Sequence, residues 1–230
     1  MTDETFARRV TKLGALADPV RRALYHFVAD QPGAVSRDQA ADGIDVPHHT
    51  AKHHLDRLVD EGLLVTEFRR LTGRSGPGAG RPAKLYRRSG KEVSVSLPHR
   101  RYDLAGDVLA DAVERSLGGT PMADAVQDAA TAAGGRAVSA SGVDGAGDDL
   151  ERVAAVLAPF GYEPLVGEEL TLRNCPFGQL ASDHADLVCG MNQTFVGAVV
   201  DALGCTDVAA TPDREQSRCC VRVRVDGDGP

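Results

Sequence analysis

The stretch that decides the fold of the first part of this chain is VPHHTAKHHLDRLVDEGLL, residues 46–64. Its apolar residues recur at helical spacing, so we expect Ala51, Leu55 and Leu58 to face inward. Histidine and lysine side chains occupy the opposite face, and Gly62 is placed to end the helix. The major groove of B-DNA admits one α-helix that carries donors on its outer face. The pattern therefore predicts a helix suited to that groove.

The neighbouring stretches predict two further helices and a hairpin. Asp18 and Pro19 begin one helix, because Asp caps a helix start and Pro suits the first turn. Ser36 begins a short helix that ends at Gly43. The runs LLVTEFRRLTG and AKLYRRSG indicate two strands around a tip rich in Gly and Pro. This order predicts a winged helix-turn-helix domain over residues 1–98.

The charge of the chain is divided unevenly between its two halves. Residues 1–101 carry 18 Lys and Arg against 12 Asp and Glu, whereas the rest carries 8 against 21. Between Arg69 and Arg101 there are 10 basic residues and one acidic residue, Glu92. This asymmetry indicates a polyanion partner for the first half only.

We expect the outer face of the helix and the basic hairpin to contact double-stranded DNA. The basic residues of the hairpin could simply form a solvated loop. That alternative does not explain why the hairpin follows three helices in the order of a winged helix-turn-helix domain. Gly80-Arg81-Pro82 resembles an arginine hook for the minor groove. His49 and His53 have a spacing that can hold zinc, but nothing nearby completes a site, so DNA contact is favoured. The candidate DNA-binding residues are His48, His49, Thr50, Lys52, His53, Arg57, Arg69, Arg70, Arg74, Arg81 and Lys84.

The second half predicts helices and a small sheet, and hence an α+β chain. A helix from Tyr102 and an Ala-rich helix over 121–134 suggest a helical dimerisation or linker region over 99–135. A low-complexity link (134–149) leads into an α/β sensor domain over 136–230. We expect that domain to contain an amphipathic helix, a hairpin or two short strands, a helix that Cys189 opens and a last strand that Cys219 and Cys220 begin.

All five cysteines lie between Cys175 and Cys220, separated by 13, 15 and 13 residues before an adjacent pair. This spacing differs from that of a zinc ribbon, so the fold would have to gather the thiols. We expect Cys189 and Gly190 to open a helix, whose positive end lowers a thiol pKa. Any one cysteine is more simply explained by packing, but the clustering of the set favours a binding site.

Length and composition limit the classes to which this protein can belong. A chain of 230 residues suits two modest domains. Its start lacks the apolar segment of a signal peptide, and it has no run of 18 apolar residues, so we expect a cytoplasmic protein without a membrane span. There thiols stay reduced, which favours metal binding or catalysis over disulfides. It has no CxxC, GxGxxG or phosphate-binding loop, and no Ser/His/Asp set at recognisable spacing, so we expect no enzyme.

Residues 46–64 resemble the recognition helix of ArsR-type bacterial regulators, and the resemblance extends over residues 10–92. It implies a homodimer that reads a two-fold symmetric operator.

With the spaced cysteines added, the chain resembles SufR-type regulators, which carry an iron–sulfur cluster. The resemblance implies an iron–sulfur cluster as cofactor, and four thiolates would suit a 4Fe–4S cluster or, as the alternative, zinc. The implied ligands are Cys175, Cys189, Cys205 and Cys219, with Cys220 or His184 as substitutes. The adjacent pair and the shifted intervals depart from the family pattern. They leave open which thiol of the pair ligates and whether Cys205 does. A regulator that senses an organic effector, with cysteines only packed, is the other reading.

Overall fold

The structure is a computed structural model that describes residues 3–70, 82–143, 145–213 and 219–225. The chain forms two compact units, one within residues 2–95 and the other within 96–230. Both combine helices with a small antiparallel sheet, so the predicted α+β class is confirmed.

The first unit consists of three helices packed together, an amphipathic helix before them and a three-stranded sheet. Its strands lie in the order β1-β3-β2, all antiparallel. The elements are α1 (Asp3–Ala15), α2 (Pro19–Ala29), β1 (Val35–Ser36), α3 (Arg37–Gly43), α4 (His48–Asp60), β2 (Leu64–Arg69) and β3 (Ala83–Arg88).

The predicted starts of α2 and α3 are confirmed by their caps. The carboxylate of Asp18 accepts a hydrogen bond from the Arg21 amide at 2.8 Å. The Ser36 hydroxyl accepts from the Gln39 amide at 3.1 Å, and the Gln39 side chain accepts from the Ser36 amide at 2.9 Å. This reciprocal pair satisfies donors that the first helical turn would otherwise leave unpaired. Strand β1 was not predicted, because two residues carry no periodic signal.

The core of the first unit is aliphatic. Leu24, Leu55 and Leu58 are completely buried between the helices, and Leu64 continues the core into the sheet. Burying each such side chain stabilises the fold by roughly 1.5–3 kcal/mol. Gly62 adopts a φ of 71°, as its predicted place after α4 requires.

The second unit packs helices on a four-stranded antiparallel sheet in the order β4-β5-β7-β6. A 3₁₀ turn (Ala158–Phe160) follows α7. The elements are α5 (Tyr102–Leu117), α6 (Met122–Ser141), α7 (Asp149–Leu157), β4 (Pro164–Val166), β5 (Leu170–Leu172), α8 (Gly178–Asp183), α9 (Ala185–Ala202), β6 (Val208–Pro212) and β7 (Val221–Val225).

Helices α5 and α6 share one core with α7, α9 and the sheet. The region predicted as a separate helical segment, residues 99–135, therefore lies within the second unit. Helix α6 continues to Ser141, so the link predicted from residue 134 is helical over its first part. A Cβ at Gly134 would lie 2.7 Å from both the Ala198 Cβ and the Phe195 carbonyl oxygen. Gly134 thus permits close packing of α6 on α9 instead of ending a helix.

Among the helices that the structure describes, none combines the length and the apolar character that a bilayer span requires.

Candidate functional site

Helix α4 presents a polar face to solvent. The side chains of Ala51, Leu55 and Leu58 are fully buried, which confirms their predicted inward direction. The opposite face exposes His48, His49, Lys52, His53 and Arg57, while Thr50 is half-buried. A helix held by one apolar face, with donors on the other, has the form that a major-groove reader needs.

Two of these candidates already have partners within the unit. The Nδ1 atom of His48 lies 2.8 Å from a carboxylate oxygen of Asp38, and this hydrogen bond lowers the pKa of Asp38. The Arg57 guanidinium pairs with Glu61 at 2.6 Å. His48 therefore joins the start of α4 to α3, a structural role that the sequence did not indicate.

The hairpin is described only at its base. Arg69 ends β2 and Arg70 follows it, both exposed. The predicted contacts Arg74 and Arg81 lie outside the described residues.

Lys84, at the start of β3, is engaged with Asp56 of α4. Its Nζ lies 2.7 Å from the Asp56 carboxylate and 5.1 Å from the centre of the Tyr86 ring. The Tyr86 hydroxyl donates to the same carboxylate at 3.1 Å. The hydrogen bond to Asp56 raises the pKa of Lys84. Lys84 therefore also fastens the hairpin base to α4.

Four cysteines of the second unit lie close enough for their hydrogen bonds and charges to shift one another's pKa, and they are here called the thiol cluster (Cys175, Cys189, Cys219 and Cys220). Cys175 lies between β5 and α8, Cys189 lies in α9, and the adjacent pair precedes β7. The Cys219 amide donates to the Leu172 carbonyl at 3.0 Å, which places the pair beside the end of β5. Strand pairing and the position of α9 thus bring together three segments distant in sequence.

The thiols of the cluster divide into donors and acceptors. Hydrogen bonding from Cys219 lowers the pKa of Cys220 to about 6 and the pKa of Cys175 to about 7. The pKa of Cys219 is raised because it donates to both neighbours in a buried position. Burial, with a hydrogen bond to Cys220, raises the pKa of Cys189 to about 12. Two sulfurs are therefore poised to carry negative charge and two to share protons with them.

Backbone N–H groups also point at the Cys175 sulfur. The amides of Phe177 and Gly178 donate to it and favour its thiolate form. Gly178 has a φ of 42°, and its amide also donates to the Cys175 carbonyl at 3.2 Å. The Cys-Pro-Phe-Gly turn is therefore shaped to stabilise a charged sulfur.

Asn192 and Tyr162 connect the thiol cluster to the core. The Asn192 amide donates to the Cys219 sulfur at 3.1 Å and lies 3.5 Å from the Cys220 sulfur. The Tyr162 hydroxyl donates to the Asn192 carbonyl oxygen at 2.6 Å. Both side chains are fully buried. Sequence reasoning missed this pair, although one Asn within the apolar run of α9 could have signalled it.

The prediction that Cys189 opens a helix is wrong. Helix α9 begins at Ala185, so Cys189 lies in its second turn, beyond the first amides that carry the positive end of the helix dipole. Its pKa is raised by burial instead of lowered.

Cys205 lies apart from the cluster. It follows α9, whose end at Ala202 lies 13 positions after Cys189, which corresponds to about 20 Å along the helix axis. Within the described residues, its sulfur is partnered by Arg152, whose guanidinium lies 3.6 Å away, and by the Asp149 carboxylate. The ligand set drawn from the sequence therefore needs correction at this residue, because α9 holds Cys205 far from the other sulfurs.

His184, the other substitute ligand, is exposed at the junction of α8 and α9. Over the described ranges, no three His, Cys, Asp or Glu side chains already surround a single metal position. The thiols face one another as hydrogen-bonded partners, so metal binding would have to replace their protons and open the group. Cys220 belongs to the cluster in place of Cys205, which the resemblance implied as a ligand.

Comparison with protein families matches residues 16–67 to a family described as a helix-turn-helix domain. The matched range starts after α1, includes α2, α3 and α4, and ends within β2. No curated protein and no solved structure matches the chain. The match agrees with the buried and exposed faces of α4. Residues 16–67 form a helix-turn-helix domain, and the chain is a DNA-binding transcriptional regulator.

Proposed function

We propose that this regulator binds an iron–sulfur cluster or a metal ion at the thiol cluster, and that the bound group controls its affinity for DNA. The observation that carries the proposal is the meeting of four sulfurs from three separate segments. Chance packing of small residues would not direct backbone and side-chain N–H groups at the sulfurs as well. The resemblance to SufR-type regulators supports the same reading.

The donor set suits the group. Four thiolates hold 4Fe–4S clusters and structural zinc ions in proteins. The ligands would be Cys175, Cys189, Cys219 and Cys220. When bound, an iron–sulfur cluster supplies a redox-sensitive link between its ligand segments, whereas zinc supplies a link without redox chemistry.

The residues around the sulfurs would stabilise their negative charge. Asn192 donates to Cys219, and the amides of Phe177 and Gly178 donate to Cys175. Such hydrogen bonds to ligand sulfurs orient them and set the properties of the bound metal. The chain therefore contributes both the ligands and the groups that fix their positions.

On the DNA side, we infer that α4 enters the major groove, with His49, Lys52 and His53 nearest the bases and phosphates. The ArsR-type resemblance supports a homodimer on a palindromic operator. Exposed apolar side chains at Val113, Leu117 and Met122 of the second unit are consistent with a contact to a second copy.

The test begins with anaerobic purification, visible absorption and elemental analysis. We expect either broad visible absorption with bound iron and sulfide, or stoichiometric zinc. A duplex is then selected from a random-sequence pool, and its affinity is compared for loaded and metal-free chains. A metal-free protein whose DNA affinity ignores added iron, sulfide and Zn²⁺ would overturn the proposal and favour an organic effector.

Two cysteine variants form a matched pair. Cys220→Ser should lose the bound group, whereas Cys205→Ser should keep it, because Cys220 belongs to the thiol cluster and Cys205 does not. Retention in the first variant and loss in the second would restore the ligand set drawn from the sequence.

A further inference from the structure

The segment that leads into the second unit is fastened to the turn carrying Cys175. Residues 96–101, here called the connecting segment, directly follow Val95, where the first unit ends. The amide of Arg101 donates to the Pro176 carbonyl at 2.9 Å. The Arg100 guanidinium donates to the Asn174 side-chain oxygen at 2.8 Å and to the Cys175 carbonyl at 2.5 Å. The backbone carbonyls of Cys175 and Pro176 are thus held by two consecutive arginines.

Asn174 completes this attachment from a buried position. Its side-chain amide donates to the His99 carbonyl at 2.9 Å and to the Gly161 carbonyl at 2.5 Å. Its backbone amide donates to the Tyr162 carbonyl at 3.0 Å. Because Tyr162 also reaches Asn192, the connecting segment belongs to the same hydrogen-bonded network as the thiol cluster.

Two glycines make room for the connecting segment. A Cβ at Gly161, whose φ is 85°, would lie 2.8 Å from the His99 ring nitrogen. A Cβ at Gly178, whose φ is 42°, would lie 2.7 Å from Nε of Arg100. The Arg101 guanidinium also lies over the Phe160 ring, 4.9 Å from its centre. The fit therefore depends on close backbone approach at two points, and it does not rest on a single exposed ion pair.

We propose that the connecting segment transmits to the DNA-binding unit whether the thiol cluster holds its metal group. Arg100 is the residue that attaches the segment to the turn carrying Cys175. This inference rests on the proposed function, since it concerns regulation by the group bound there. Ligation fixes the Cys175 sulfur, and the carbonyls of Cys175 and Pro176 move with it. The arginines that donate to those carbonyls then hold the connecting segment in a different position or with different rigidity. That segment continues by covalent bonds from the last residue of the first unit.

The first test uses the full chain, Zn²⁺ as the probe and the duplex selected by the wild-type protein. We expect Zn²⁺ to slow amide hydrogen exchange over residues 96–101 and to change wild-type DNA affinity by at least about fivefold, the lower end of usual coupling. Arg100→Gln should still bind Zn²⁺, while both responses largely disappear. Arg173→Gln, at an exposed arginine two residues before Cys175, should behave as wild type.

A second variant covers the case in which Arg100→Gln also weakens Zn²⁺ binding. Two glycines inserted between Val95 and Ser96 leave every residue of the network unchanged. This insertion should keep Zn²⁺ binding and the exchange response, but lose the response of DNA affinity. If Zn²⁺ changes the DNA affinity of the insertion variant, or of Zn²⁺-loaded Arg100→Gln, as much as it does in the wild type, the coupling through this segment is wrong. The proposed function is then unaffected. If the wild-type chain binds no metal, or if bound metal leaves its DNA affinity unchanged, both the proposed function and the coupling are wrong.

Discussion

The side-chain amide of Asn192 donates to the sulfur of Cys219 across 3.1 Å, inside the core of the second unit. Asn192 lies three residues after Cys189 on α9, so one helix supplies both a thiol and the group that orients two others. A fully buried amide is costly unless it is satisfied, and here Tyr162 and the sulfurs satisfy it. The pair therefore links the apolar core to the chemistry of the thiol cluster.

We predict that removing this pair weakens metal binding without unfolding the chain. The double variant Asn192→Leu with Tyr162→Phe deletes both partners, so it leaves no buried polar group orphaned. Zn²⁺ affinity, measured by competition with a chromophoric chelator, should fall by about tenfold, as is usual for groups that orient metal ligands. Gln193→Leu, one residue further along α9, is the control. Unchanged affinity in the double variant would show that Asn192 only fills space.

Lys52 should contact a DNA phosphate. Lys52→Ala is expected to lower affinity for duplex DNA of any sequence and to reduce the slope of log affinity against log salt by about 0.9. The measurement is fluorescence anisotropy over a series of salt concentrations. Arg136→Ala removes an exposed cation from the second unit and should leave the slope unchanged. Equal slopes for wild type and Lys52→Ala would place Lys52 away from the DNA backbone.

The packing of α6 on α9 predicts opposite effects at two adjacent glycines. Gly134→Ala should destabilise the second unit by about 1–3 kcal/mol, because its Cβ would collide with α9. Gly135→Ala meets nothing within 4 Å and should stabilise it by about 0.5–1 kcal/mol through helix propensity. Urea unfolding followed by circular dichroism measures both. Equal effects would contradict the close approach at Gly134.

Cys205 should resist alkylation at neutral pH. Burial, aided by the Asp149 carboxylate, raises its pKa from 9.0 to about 11. Short iodoacetamide pulses with peptide mass spectrometry measure the rate of Cys205 alkylation. In the folded chain this rate should rise with pH up to about 11, whereas in the unfolded chain it should level off above 9.0. Between these values the folded chain keeps a proton that the unfolded chain has lost. The resulting stabilisation is therefore present below the lower value and is lost as pH rises towards the upper one.

A variant tests the cause. Asp149→Asn removes the negative charge beside the sulfur, so the rise in alkylation rate should shift to lower pH. A profile unaffected by this change would mean that burial alone sets the reactivity of Cys205.

The sequence by itself determined the helix-turn-helix domain, because its signals are local. Asp18 and Ser36 cap the helices they precede, and Ala51, Leu55 and Leu58 repeat at the period of one helix face. Each signal involves residues within one or two turns, so no long-range contact was needed to read it. The burial observed along α4 matches that reading residue by residue.

Only the tertiary structure decided which cysteines meet. Their contacts depend on the pairing of β5 with β7 and on where α9 crosses the sheet, and spacing along the chain reports neither. Because α9 starts at Ala185, Cys189 lies in its second turn and not at its first residue. Because α9 continues to Ala202, Cys205 lies far from the other four sulfurs. The attachment of Arg100 to the Cys175 turn joins residues 75 positions apart. Local propensity cannot encode such contacts, because their geometry is set by the packing of the whole unit.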